Sequence, residues 1–191
     1  GLKATIIMPE DTPATKIEGT KAYGADVVTY DRYTESREEI GEALSQKYNA
    51  NLIKPYDDVR VIAGQGTVGL EIARQASVMG VVPDALICCC GGGGLIAGTS
   101  IALHAHFPKT KIWCAEPEFY DDTKRSLETG TIKRAQTEKS SICDAIVTPE
   151  PGQLTFPVNR KHLSGGAIVS DHQVLKTIAT LFKHLKIIVE P

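Results

Sequence analysis

Four consecutive glycines, Gly91, Gly92, Gly93 and Gly94, sit in the run DALICCCGGGGLIAG that covers residues 84–98. They are the residues best suited to chemistry in this chain. Residues 85–90 are a short, unbroken apolar run, which predicts a strand buried on both faces of a parallel sheet. Residues 95–103 repeat apolar side chains at helical spacing. Strand, glycine turn and helix start together make an anion cradle. Glycine lets the backbone approach closely, successive N–H groups converge, and the helix start adds partial positive charge. The loop lacks the Lys-Ser/Thr ending of a P-loop and the GxGxxG spacing of a dinucleotide fingerprint. The chemistry it suits is the holding of a phosphate group. The alternative is a tight turn that tolerates glycine, for which one or two glycines would suffice.

A second group is acidic. Glu116 stands at the end of a predicted strand, with Asp121 and Asp122 a few residues on. Two carboxylates and a backbone carbonyl suit Mg²⁺ or Ca²⁺; the alternative is that the aspartates cap the next helix. Asp57 and Asp58 precede the GQGT at 64–67 and read either as a site-facing pair or as a solvated turn. His104 and His106 lie two apart on a predicted helix, point to different faces and cannot chelate one metal together. His162, His172 and His184 are scattered, and all five histidines read as structural or surface groups. No Ser-His-Asp arrangement follows from spacing.

The elements that must position these residues alternate along the chain. Strands are predicted at 4–8, 26–30 and 52–53, with helices at 13–23 and from a capping box of Ser36 and Glu39 to about Tyr48. A helix follows GQGT, with Val68, Ile72, Ala76 and Met79 on one face. After the glycine unit come a strand at 111–115 and a helix near 122–129. A long irregular stretch then runs over 130–159. A strand at 167–169 leads to a last helix capped by Ser170 and Gln173, with Val174, Ile178, Leu181 and Leu185 on one face. Alternation of this kind predicts an α/β fold with parallel sheets. The turn-like junction at 80–83 predicts a break between two lobes, 1–79 and 80–191.

The 191 residues suffice for a proper core, with 42% hydrophobic and 23% charged side chains. A formal net charge of -2 gives no electrostatic reason to expect nucleic acid or an anionic membrane as partner. No apolar run approaches the roughly 20 residues of a membrane span. Five cysteines, three of them adjacent and none in a CxxC pair, predict reduced thiols and a cytoplasmic setting.

Several segments, taken in order, resemble the fold-type II pyridoxal-phosphate enzymes, in particular the threonine/serine dehydratase and serine racemase group. They are KATIIMP at 3–9, AYGADVVTYD at 22–31, VIAGQGTVGLEI at 61–72, the glycine unit, AEP at 115–117, ICDA at 142–145, LTFPV at 154–158 and IIVEP at 187–191. The resemblance implies a two-domain enzyme, with 1–79 in the small domain and 80–191 in the large one. Pyridoxal 5'-phosphate would bind with its phosphate on Gly91, Gly92, Gly93 and Gly94. Glu190 and Ala145 match positions near the cofactor ring, although Cys143 and Ala145 depart from the family's Ala-Asp-Gly. Asp58 matches a substrate-facing position, and Glu116, Asp122 and the carbonyl of Tyr120 match a divalent-cation site. The family's Schiff-base lysine has no counterpart among the lysines here, so no catalytic residue is assigned and the segment is expected to be silent alone, as a piece of a longer chain. The implied activity is an ammonia-lyase acting on a small hydroxy amino acid such as L-threonine or L-serine, in a homodimer. Serine racemization, hydroxyaspartate dehydration and a non-catalytic phosphate-binding module are the alternatives.

Overall fold

A computed structural model describes residues 2–191. The chain divides into two compact units, Gly1–Ile53 and Lys54–Pro191. The first contains β1 (Thr5–Pro9), α1 (Ala14–Ala22), β2 (Asp26–Tyr30) and α2 (Arg37–Tyr48). β1 and β2 pair in parallel, Thr5 opposite Asp26 through Pro9 opposite Tyr30, with α1 as the crossover. Gly24 at φ +86° lets the chain leave α1 and turn into β2. The Ser36 side chain accepts from the Glu39 amide and starts α2. No strand forms at residues 52–53. Leu52 packs against Gly41 of α2 instead, while Ile53 is exposed.

The second unit contains α3 (Val59–Met79), β3 (Ala85–Cys89), α4 (Gly94–His106), β4 (Lys111–Pro117), α5 (Asp122–Thr129), α6 (Thr155–His162), β5 (Gly165–Val169) and α7 (Asp171–Leu185). Its sheet is parallel, in the order β3-β4-β5. Ala73, Cys90, Ile96, Leu103, Ile112 and Cys114 form the core between the sheet and the helices.

The GQGT segment lies inside α3 rather than before it. Within it, a Cβ on Gly66 would stand 3.4 Å from the Gly98 carbonyl; beyond it, one on Gly69 would run into the Thr99 carbonyl, and one on Gly98 into the Ile62 carbonyl. α3 is therefore seated directly on α4, the helix that leaves the glycine loop. The division of the chain falls before α3, and α3 ends at Gly80 in the left-handed conformation, φ +68°.

β3 is not covered on both sides. Its side chains alternate, with Ala85, Ile87 and Cys89 exposed and Leu86 and Cys88 half-buried. Ile87 stands opposite Trp113 of β4, which is also exposed. The cysteines divide accordingly: Cys90, Cys114 and Cys143 are buried, Cys88 is half-buried, and Cys89 is exposed. The last helix carries the capping box in full, from Ser170 and Gln173. Val174, Ile178 and Leu181 share its half-buried face, but Leu185 is exposed.

Candidate functional site

The strand-to-helix turn brings Gly92, Gly93 and Gly94 into the interior, with Gly91 half-buried at its edge. Gly93, at φ +88°, is the N-cap of α4 and adopts a conformation that side chains disfavour. A Cβ there would also come within 2.5 Å of the Asn159 amide nitrogen. A Cβ on Gly92 would land in the ring of Tyr56. Close approach of backbone to its surroundings is thus imposed from both sides of the loop.

The carbonyls of the loop are occupied. Gly92 O accepts from the Thr155 hydroxyl at 2.6 Å and from the Gly152 amide at 3.2 Å. Gly93 O accepts from the Ala97 amide at 3.0 Å and from Asn159 Nδ2 at 3.3 Å. Among the described residues, no hydrogen bond takes the amides of Gly91, Gly92 or Gly93. The amides that open α4 are first-turn donors with no partner inside the helix. N–H groups at a helix start that lack acceptors of their own are donors an anion can take.

α6 supports this turn, and the sequence did not reveal it. Pro157 and the polar run after it hid an 8-residue helix within what read as irregular chain. Its N-terminus has no cap from its own N-cap residue, Leu154. Asp57 supplies one from 97 positions away: Oδ1 accepts from the Leu154 amide at 2.7 Å and from the Thr155 amide at 3.2 Å. A carboxylate at this end also meets the positive pole of the helix.

The other candidate residues are distributed as follows. Asp58 caps α3, accepting from the Arg60 amide at 2.7 Å and pairing with its guanidinium at 3.2 Å. Those bonds hold its carboxyl below the usual carboxylate range. Ala145 is exposed, and its neighbour Ile146 lies with its backbone 3.1 Å from where a Gly91 Cβ would stand. That segment therefore borders the loop. Glu190 lies exposed in the irregular chain after α7.

The acidic group lies at the end of β4 and the start of α5. Glu116 is fully buried, and both its oxygens receive amides at the start of α5: Thr123 N to Oε1 and Lys124 N to Oε2, each at 2.8 Å. Glu116, rather than Asp121 or Asp122, is the cap of this helix. Asp121 pairs with Arg125 at 2.9 Å, and the Tyr120 hydroxyl donates to the Lys139 carbonyl at 2.8 Å. Asp122 is buried with Oδ2 unpartnered. Burial, and then the charge of Glu116, push its carboxyl up to about 8. Among the described residues no group of three or more His, Cys, Asp or Glu could hold a metal ion. No observation here supports the expected Mg²⁺ or Ca²⁺ on Glu116, Tyr120 and Asp122.

Among the histidines, His104 and His162 meet, with Nδ1 atoms 2.9 Å apart, while His104 Nε2 is 2.9 Å from the Thr110 carbonyl. A carbonyl can only accept, so His104 Nε2 carries the proton and its Nδ1 accepts from His162. The pair joins α4 to the end of α6. Among the thiols, Cys88 donates to the Cys89 carbonyl at 3.4 Å.

Comparison with known proteins adds the following. A family model described as "Pyridoxal-phosphate dependent enzyme" matches residues 1–191. The chain is 40% identical over 188 residues to the L-threo-3-hydroxyaspartate ammonia-lyase of Saccharomyces cerevisiae, covering 98% of this chain and 56% of that protein. It is 35% identical over 191 residues to the serine racemase of Schizosaccharomyces pombe, covering 100% of this chain and 58% of that one. Among solved structures, a threonine deaminase from T.th. superposes with a TM-score of 0.91 at 44% identity, over 100% of this chain and 61% of the other. The chain therefore spans a little more than half the length of the relatives it matches.

Proposed function

Because the chain belongs to the pyridoxal-phosphate dependent enzyme family, we propose that Gly91, Gly92, Gly93 and Gly94 hold the phosphate of pyridoxal 5'-phosphate in an ammonia-lyase of small hydroxy amino acids. The observation that carries this reading is the glycine loop itself, with its carbonyls turned onto α6 and its amides left without acceptors. The residues fit the group. A phosphate monoester brings close to two negative charges at neutral pH, and no lysine or arginine stands within the loop. Backbone amides and the start of α4 supply the positive potential. Charge-assisted hydrogen bonds of this kind contribute roughly 1.5–3 kcal/mol each.

When bound, pyridoxal phosphate supplies an aldehyde that joins an amino group and a ring that withdraws electrons from the adjacent carbon. The chain's own residues bind and orient. In this reading Ala145 and Glu190 would hold the ring, and Asp58 would meet the substrate. No lysine in residues 1–191 is assigned the covalent role.

The proposed reaction eliminates water from L-threonine, L-serine or a 3-hydroxyaspartate and then adds water back as ammonia is released, so that the net products are a 2-oxo acid and ammonia. Relatives named as hydroxyaspartate ammonia-lyases support including the third substrate. Serine racemization is the second reading, and it is favoured by the similarity to serine racemases at 35% and 36% identity. The experiment is to incubate the full protein and cofactor with each hydroxy amino acid, measuring 2-oxo acid, ammonia and the enantiomer of the substrate. We expect 2-oxo acid and ammonia in equal amounts from at least one substrate. Enantiomer without 2-oxo acid would replace the lyase by the racemase, and neither product would overturn both.

A further inference from the structure

Four glycines in a row are the most mobile backbone a chain can offer, and a mobile loop does not present its amides in one direction. Something must hold it. A peptide unit is planar, with C=O and N–H pointing opposite ways. Fixing the Gly92 carbonyl therefore fixes the Gly93 N–H, and fixing the Gly93 carbonyl fixes the Gly94 N–H. Those two carbonyls are the ones that Thr155 and Asn159 grip, at 2.6 and 3.3 Å. Thr155 and Asn159 are four apart on α6, so they stand on one face. Neither has any exposed surface.

We propose that Thr155 and Asn159 are positioning residues that turn the Gly92 and Gly93 carbonyls onto α6 and so aim the Gly93 and Gly94 amides at the cofactor phosphate. The inference rests on the loop being the phosphate site. Asp57 belongs to the same device, because its carboxylate fixes the first turn of α6 through the Leu154 and Thr155 amides. Asn159 shows what the arrangement costs. Its Oδ1 is buried with no hydrogen-bond partner, a state that penalises the fold. An apolar side chain of similar size would avoid that penalty but would leave the Gly93 carbonyl without this donor. A residue present only for packing has no need of the amide.

The test compares the affinity of the full protein for pyridoxal phosphate with that for pyridoxal, which lacks the phosphate, by fluorescence titration. Thr155→Val, Thr155→Ser and Asn159→Leu are measured beside the parent, each with its thermal melting temperature. We expect Thr155→Val to weaken pyridoxal phosphate at least tenfold and leave pyridoxal unchanged, with Thr155→Ser close to the parent. Asn159→Leu is expected to lose at least fivefold on pyridoxal phosphate without a lower melting temperature, which keeps the test decisive if the valine variant folds poorly. Equal losses on both ligands, or affinities within twofold of the parent in Thr155→Val and Asn159→Leu, would overturn the positioning role. A parent protein that binds both ligands equally would overturn the phosphate reading of the loop itself, and this inference with it.

Discussion

The ring of Tyr56 occupies the space into which a side chain on Gly92 would project. The two residues are 36 positions apart in the sequence and form one surface of the loop, so they cannot be varied independently. Gly92→Ala forces the ring or the loop to move. Overpacking of this kind costs about 1–3 kcal/mol. Contacting residues couple in double-mutant cycles. We expect Gly92→Ala to lower the melting temperature in the parent and by clearly less in a Tyr56→Ala background. Additive effects would show that the ring does not limit the loop.

Glu116 gives a second test, because its role is to receive the Thr123 and Lys124 amides in the interior. Glu116→Ala leaves the buried Thr123 amide and the half-buried Lys124 amide without this partner, at about 1–3 kcal/mol for the buried one. Glu116→Gln keeps an acceptor for one of them. Thermal melts in chelator-containing buffer are expected to rank the parent above Gln and Gln above Ala. An alanine variant as stable as the parent would mean that α5 is capped in some other way.

His162 makes the stability of this unit depend on pH. Burial, and then the charges of His104 and Lys161, lower its pKa in the fold. A base whose folded pKa lies below its unfolded value of about 6.5 contributes stability that is present above that value. The contribution is lost as pH falls through the folded pKa. Melting temperature is therefore expected to drop below about pH 6.5, and to drop less in His162→Gln. An identical pH profile in the variant would remove His162 from the explanation.

The parts of the site legible in the sequence are those made by neighbours along the chain. The glycine loop between strand and helix was legible, as was the Ser170–Gln173 cap, because strand, turn and cap chemistry act over a few residues. α6 was not, since Pro157 and a polar stretch mask its period, and its cap, Asp57, lies 97 positions away. By sequence the helix starts only after GQGT, because glycine is a poor helix former. Packing of α3 on α4 overrides that propensity, and it requires Gly69 and Gly98. The carboxylates after β4 read equally well as ligands or as caps. Only the geometry shows that Glu116, not an aspartate, meets the helix amides. Burial of a sheet face is a property of its neighbours, so the apolar run at 85–90 could not disclose that Ile87 is exposed.

The most direct measurement is the amide spectrum of the loop. In the ¹⁵N-labelled full protein, the N–H signals of Gly91, Gly92, Gly93 and Gly94 are followed during titration with pyridoxal phosphate and, separately, with pyridoxal. We expect the Gly93 and Gly94 signals to move with the phosphorylated ligand and to stay in place with the other. Glycine signals unmoved by pyridoxal phosphate, while amides elsewhere shift on binding, would contradict the central claim that this loop holds the phosphate.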